Sequence, residues 1–288
     1  MHGFFLDTAA KGQRFCVHHE AQGPLKRGQL LYLHPFGEEM NKSRRMAALQ
    51  ARALAQGGFE VLQIDLHGCG DSSGGFGDTT WDDWVDDALL GCRWLQAQPA
   101  PAPLWLGGLR AGCLVAAEAQ RRLAMSAHLL LVQPPASGKP LLQQFLRLKL
   151  AGDMVDGRAK GMMAELRAAL TRGESVEIAG YALNAALAFG LESATLLPAG
   201  PASEPTRLVW LELSSRPAPE WTPVALQSQQ RWREAGYMIE SEIVFGPAFW
   251  QTTEIEEAPA LVDAVCRWLT APSNTGMPAA RASQAVPA

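Results

Sequence analysis

Short apolar runs bounded by glycine and proline alternate along this chain with stretches in which apolar residues recur every three to four positions. The runs at 30–33, 61–66, 104–107, 128–133, 208–213 and 238–244 predict strands, and 15–19 predicts an N-terminal antiparallel strand. Helical spacing over 42–56, 80–96, 112–123, 222–235 and 259–269 fills the gaps between them. Thr79 or Thr80 is placed to cap the second helix, with Asp82 and Asp83 in its first turn complementing the helix dipole. This order predicts an α/β fold: a mostly parallel central sheet flanked by helices. Residues 137–203 interrupt the alternation with apolar-rich helical sequence, read either as a helical lid or as ordinary packing helices of the core. The core is then 1–136 with 204–270, and the small, polar, proline-containing stretch 271–288 is expected to be a disordered tail.

At 288 residues and 48% hydrophobic content the chain can bury one large core. A net charge of −4 without a lysine- or arginine-rich run argues against nucleic acid as a partner. No apolar run reaches the roughly 18 residues of a membrane span, and 1–10 lacks the positive start of a signal sequence, so a soluble cytoplasmic protein is expected. Five cysteines without a C-x-x-C pair suggest neither a disulfide framework nor a zinc site. No metal and no cofactor are expected, and the cysteines read as small buried hydrophobes.

The chemistry concentrates after the strand at 104–107. There Gly108-Leu109-Arg110-Ala111-Gly112 opens a helix, the G-x-S-x-G turn that carries the nucleophile of α/β-hydrolases, with arginine where serine would stand. A guanidinium has no lone pair with which to attack, but it can hold an anion or pair with an acid. Glu38, Glu39, Glu212 and Glu254 are the candidate acids, and a bound phosphate, sulfate or carboxylate is the alternative. All six histidines precede residue 129, so none can follow the last strand, where this fold keeps its general base. Phe249 or Trp250 stands near that position, and Glu212 lies inside the strand whose following loop would supply the acid.

His34-Pro35-Phe36-Gly37-Glu38-Glu39 follows the first central strand, where a backbone amide can join that of Ala111 in a small positive cup. His34 reads as a loop-orienting hydrogen-bonder, and Asn41, Lys42 and Arg44 as rim or helix-start residues. Asp65-Leu66-His67-Gly68-Cys69-Gly70-Asp71-Ser72 matches a structural turn in which Asp65 and Ser72 bond to backbone. Cys69 stands out there as the candidate exposed thiol.

These segments, with Gly180-Tyr181, resemble the exosortase A system-associated hydrolase 2 family of the α/β-hydrolase superfamily over residues 1 to about 270. The resemblance implies a bacterial cytoplasmic protein of the exosortase/PEP-CTERM sorting and exopolysaccharide system. The expectation is a degenerate member that binds a small anionic or acyl ligand, or another protein of that system, through Arg110, Ala111, His34, Phe36, Gly37, Glu38, Glu39, Phe249 and Trp250. The alternative is an esterase or thioesterase with an unconventional site drawn from Cys69, Ser72, Ser137, or a water activated by Glu38 or Glu39, served by His34 or His67.

Overall fold

The computed structural model describes residues 1–153, 159–198, 200–202 and 204–271; beyond Ala271 the expected tail lies outside the described residues. The chain begins with β1 (His2–Asp7), β2 (Gln13–His19), β3 (Gly28–Leu33), α1 (Glu38–Gln56), β4 (Phe59–Ile64), α2 (Trp81–Gln96), β5 (Leu104–Leu109), α3 (Ala111–Arg122) and β6 (His128–Val132). An insert comes next, made of α4 (Lys139–Asp153), α5 (Ala159–Thr171), β7 (Val176–Ile178), β8 (Tyr181–Leu183) and α6 (Ala185–Ser193). The chain then returns through β9 (Arg207–Ser214), α7 (Pro223–Glu234), β10 (Met238–Phe245) and α8 (Pro259–Thr270).

Eight strands form one sheet in the order β1-β2-β4-β3-β5-β6-β9-β10. The β1–β2 and β2–β4 pairs are antiparallel; every other pair is parallel. The central strands are largely apolar on both faces because both are covered. Leu31, Leu106, Leu129 and Leu208 face α2 and α3, while their neighbours Leu30, Trp105, Leu130 and Val209 face α1 and α8. Residue by residue, one layer of core alternates with the other.

Two helix starts fix the side chains around the carboxyl ends of the strands. Thr80 caps α2: its hydroxyl accepts the Asp83 amide at 3.1 Å and its own amide donates to the Asp83 carboxylate at 2.9 Å. Helix α1 starts four residues earlier than its apolar spacing predicts, at Glu38, because Gly37 takes φ 57° and turns the chain straight out of β3. That early start puts Glu38 and Glu39 in the first helical turn, where acids suit the dipole.

The insert is not purely helical, since β7 and β8 form a small antiparallel pair. Three-residue strands are too short to show an alternating pattern. Leu142, Leu146, Leu187 and Leu191 pack into the same core layer as α2 and α3. Asn184 ties α6 down by accepting the Leu187 amide and donating to the carbonyls of Gly77 and Thr79 at 2.8 and 2.7 Å.

Candidate functional site

Strand β5 enters α3 through a single residue, Arg110, at φ 55° and ψ −116°. A side chain other than glycine costs about 1–3 kcal/mol in such a conformation and is kept only where the surroundings impose it. The surroundings do so here through two close approaches. A Cβ on Gly108 would overlap the Gly112 backbone, and one on Gly112 would overlap the Leu33 carbonyl. The Arg110 amide also donates to the Val132 carbonyl at 3.0 Å, pinning the turn to β6.

Of the four candidate acids, Glu39 is the partner of Arg110. The guanidinium reaches both Glu39 oxygens from Nε at 3.3 Å and Oε1 from Nη2 at 3.1 Å; Nη2 also donates to Gln144 Oε1 at 2.8 Å. Its central carbon lies 5.9 Å from the centre of the Trp250 ring. Burial pushes the Glu39 carboxyl above its ordinary range, opposed by the Arg110 charge. Glu212 is taken by the Trp210 indole N–H at 3.0 Å, and Glu254 is exposed.

Beside this pair opens a cleft of about 230 Å³. Its walls are apolar (Phe36, Leu141, Phe145, Leu148 and Trp250), and Glu38, Glu39, Lys42, Gln144 and Gln251 supply the polar groups. None of these described lining residues carries a hydroxyl, a thiol or an imidazole. Arg110 is not among the lining residues, but its partners Glu39 and Gln144 are.

Of the expected site residues, Phe36, Glu38, Glu39 and Trp250 line this cleft, and the others sit elsewhere for identifiable reasons. His34 is buried and fully occupied, with Nδ1 bonded to the Pro35 carbonyl at 2.8 Å and Nε2 accepting the Leu66 amide at 3.2 Å. It orients its loop, as expected, but borders a different depression together with Tyr32, Arg44 and Asp65. Ala111 is wholly buried, Gly37 serves as the α1 cap, and Phe249 packs into the α1 and α8 core layer.

The 65–72 turn has its expected structural role. Ser72 donates to the Asp65 carbonyl at 2.5 Å and accepts the Phe15 amide, and Asp65 accepts from Asp71 and Arg44. Cys69 is a correction: it is buried, and burial drives its thiol pKa strongly upward, so it is not an accessible thiolate. Ser137 lies in a backbone bridge with Thr195, and the His67 amide is bonded to Asp87 at 2.7 Å. Neither lines the cleft. Four wall residues, Leu141, Gln144, Phe145 and Leu148, escaped the sequence reading, although their 141/144/145/148 spacing marks one face of α4.

The backbone aligns with Est1E from Butyrivibrio proteoclasticus bound to ferulic acid at TM-score 0.65, covering 92% of this chain and 97% of that one at 13% identity. The chain has the α/β-hydrolase fold. A carboxyl esterase from Bacillus coagulans in complex with glycerol gives TM-score 0.59 at 12% identity over 93% and 96% of the two chains. A proline iminopeptidase from Mycobacterium smegmatis gives 0.56 at 16% over 93% and 97%. In sequence, the family model described as serine aminopeptidase, S33 matches residues 25–166. Protein ABHD12B of Homo sapiens is 33% identical over 116 residues, 40% of this chain and 30% of that protein. The stretch matched by the family model takes in the turn from Gly108 to Gly112 that carries Arg110.

Proposed function

We propose that this α/β-hydrolase-fold protein has no working serine triad and uses its former active-site cleft to hold the apolar part of an acyl or anionic ligand, or of a partner protein. One observation carries the reading: no hydroxyl, thiol or imidazole is found among the described residues lining the cleft. Without a base-activated nucleophile, about 10⁶-fold of triad catalysis is missing. The apolar walls supply affinity. A ligand's anionic head meets Lys42 at the rim, or reaches Arg110 only by displacing Glu39. The resemblance to the exosortase A system-associated family supports a ligand or partner from that sorting and exopolysaccharide system. In this reading α4, which contributes Leu141, Phe145 and Leu148 to the wall, acts as a lid, whereas α6 stays fixed through Asn184.

The test pairs reactivity with binding. Purified protein should neither label with a fluorophosphonate nor hydrolyse p-nitrophenyl esters above background, and medium-chain fatty acids should raise its melting temperature. Ester turnover that persists through repurification, or indifference to every acyl chain offered, would overturn the proposal.

A further inference from the structure

At the antiparallel edge of the sheet, β1 and β2 pair with His2 directly across from His18. The two rings meet edge-on with centroids 5.1 Å apart, and Glu20 comes immediately after β2. One ligand-type atom from each of His2, His18 and Glu20 lies within 4.8 Å of the other two.

His18 is the informative member. Its side chain is 5% exposed, and its two nitrogens are treated very differently. Nε2 is bonded to Glu60 Oε1 at 3.0 Å, while Nδ1 is buried without a hydrogen-bond partner among the described residues. Glu60 is fixed as an acceptor by Lys26 Nζ at 2.8 Å and Gln29 Nε2 at 2.7 Å. An acceptor at Nε2 places the ring proton there and leaves the Nδ1 lone pair free. Carboxylate-held imidazoles with one bare nitrogen are the usual form of metal-ligating histidine.

We propose that His2, His18 and Glu20 form a binding site for a divalent transition-metal ion, zinc being the best match, with Glu60 as the carboxylate that orients His18. Two imidazoles and one carboxylate suit a borderline cation, and the nitrogen donors disfavour calcium and magnesium. Solvent completes the coordination, because His2 and Glu20 are exposed. Bound there, the ion ties the end of β1 remote from its turn onto β2 and so secures the sheet's outermost strand. No C-x-x-C or H-x-x-x-H spacing signals it, since its ligands meet only through antiparallel pairing.

The experiment uses the full chain without a histidine tag. Isothermal titration with zinc, and the visible absorption of added cobalt, should reveal one tight site, and zinc should raise the melting temperature reversibly with a chelator. The substitutions His2→Ala and Glu20→Gln, both at exposed positions, should each weaken zinc binding at least about tenfold. His18→Gln should abolish it; if that variant fails to fold, the two exposed ones still decide. Absence of zinc binding at micromolar concentrations, or binding that both exposed variants retain unchanged, would overturn the site.

Discussion

Two arginines are gripped in closely similar ways at opposite ends of the sheet. Arg207, at the start of β9, donates to Glu240 Oε2 at 2.8 and 3.2 Å and to the Trp268 carbonyl at 2.7 Å, with its guanidinium 5.2 Å from the centre of Trp105. Arg110, at the end of β5, has Glu39, Gln144 and Trp250 in the corresponding places at 3.1–3.3, 2.8 and 5.9 Å. The groups match; their supports do not. Glu240 lies on β10, the strand paired with β9, and Trp268 on α8 packed below, so the first cluster is set by sheet register. Glu39 comes from a helix start, Gln144 from the insert and Trp250 from a loop, and they converge on a residue in a strained backbone conformation. The first arrangement clamps the fold. The second closes off an arginine at the carboxyl ends of the strands, where open α/β sheets bind ligands.

Removing the clamp is the most direct challenge to this distinction. Arg207→Ala should cost about 3 kcal/mol in urea unfolding, because it strands Glu240 and the Trp268 carbonyl beside the sheet. A loss below about 1 kcal/mol would mean that the two ends are not different in kind.

A pH effect of somewhat smaller size belongs to the same end. His128 packs against Trp105 with ring centroids 4.8 Å apart and the planes tilted by 58°, and it accepts the Arg207 amide at 3.1 Å through Nδ1. Burial, helped by the Arg207 charge, lowers its pKa from 6.5 to about 4. Between those values the unfolded chain takes up a proton that the folded chain refuses, so stability is lost as the pH falls from about 6.5 to 4. Discounted for partial exposure, the loss amounts to about 2 kcal/mol. His128→Asn should flatten that limb of the stability profile, and an unchanged slope would remove His128 as its source.

The smallest effects should come from the cleft. Arg110→Ala is expected to cost about 1–2 kcal/mol, since Glu39 regains solvent through the opening. Arg110→Gly should be more stable than Arg110→Ala by about 1 kcal/mol, because glycine accepts φ 55° without strain. Glu39→Gln should leave the melting temperature nearly unchanged while making it newly responsive to phosphate or acetate, as Arg110 becomes available. A wild-type protein that already responds as strongly would show that Glu39 does not block the arginine.

Much of this architecture was legible in the chain. The parallel strands β3, β4, β5, β6 and β9 stood out as apolar runs because both sheet faces are buried there, and the elbow because Gly108 and Gly112 are sterically required. Strand β1 left a weaker trace. It forms the sheet's edge and carries exposed His2, Gly3 and Phe5, so propensity had little to work with. The choice of Glu39 over Glu38, Glu212 and Glu254 was open for a different reason. One residue along α1 turns a side chain by about 100°, and only the start of the helix at Glu38 fixes which acid points at the elbow.

The layer order, the strained turn and the arginine upon it were written in the amino-acid order alone, since they depend on hydrophobic period and glycine placement, which are local properties. Only the folded chain settles that Arg110 is covered by Glu39 and Gln144, that His34 and Cys69 are closed off from the cleft, and that His2 meets His18. Each of these depends on distances between segments many residues apart, set by strand register and by the packing of the insert.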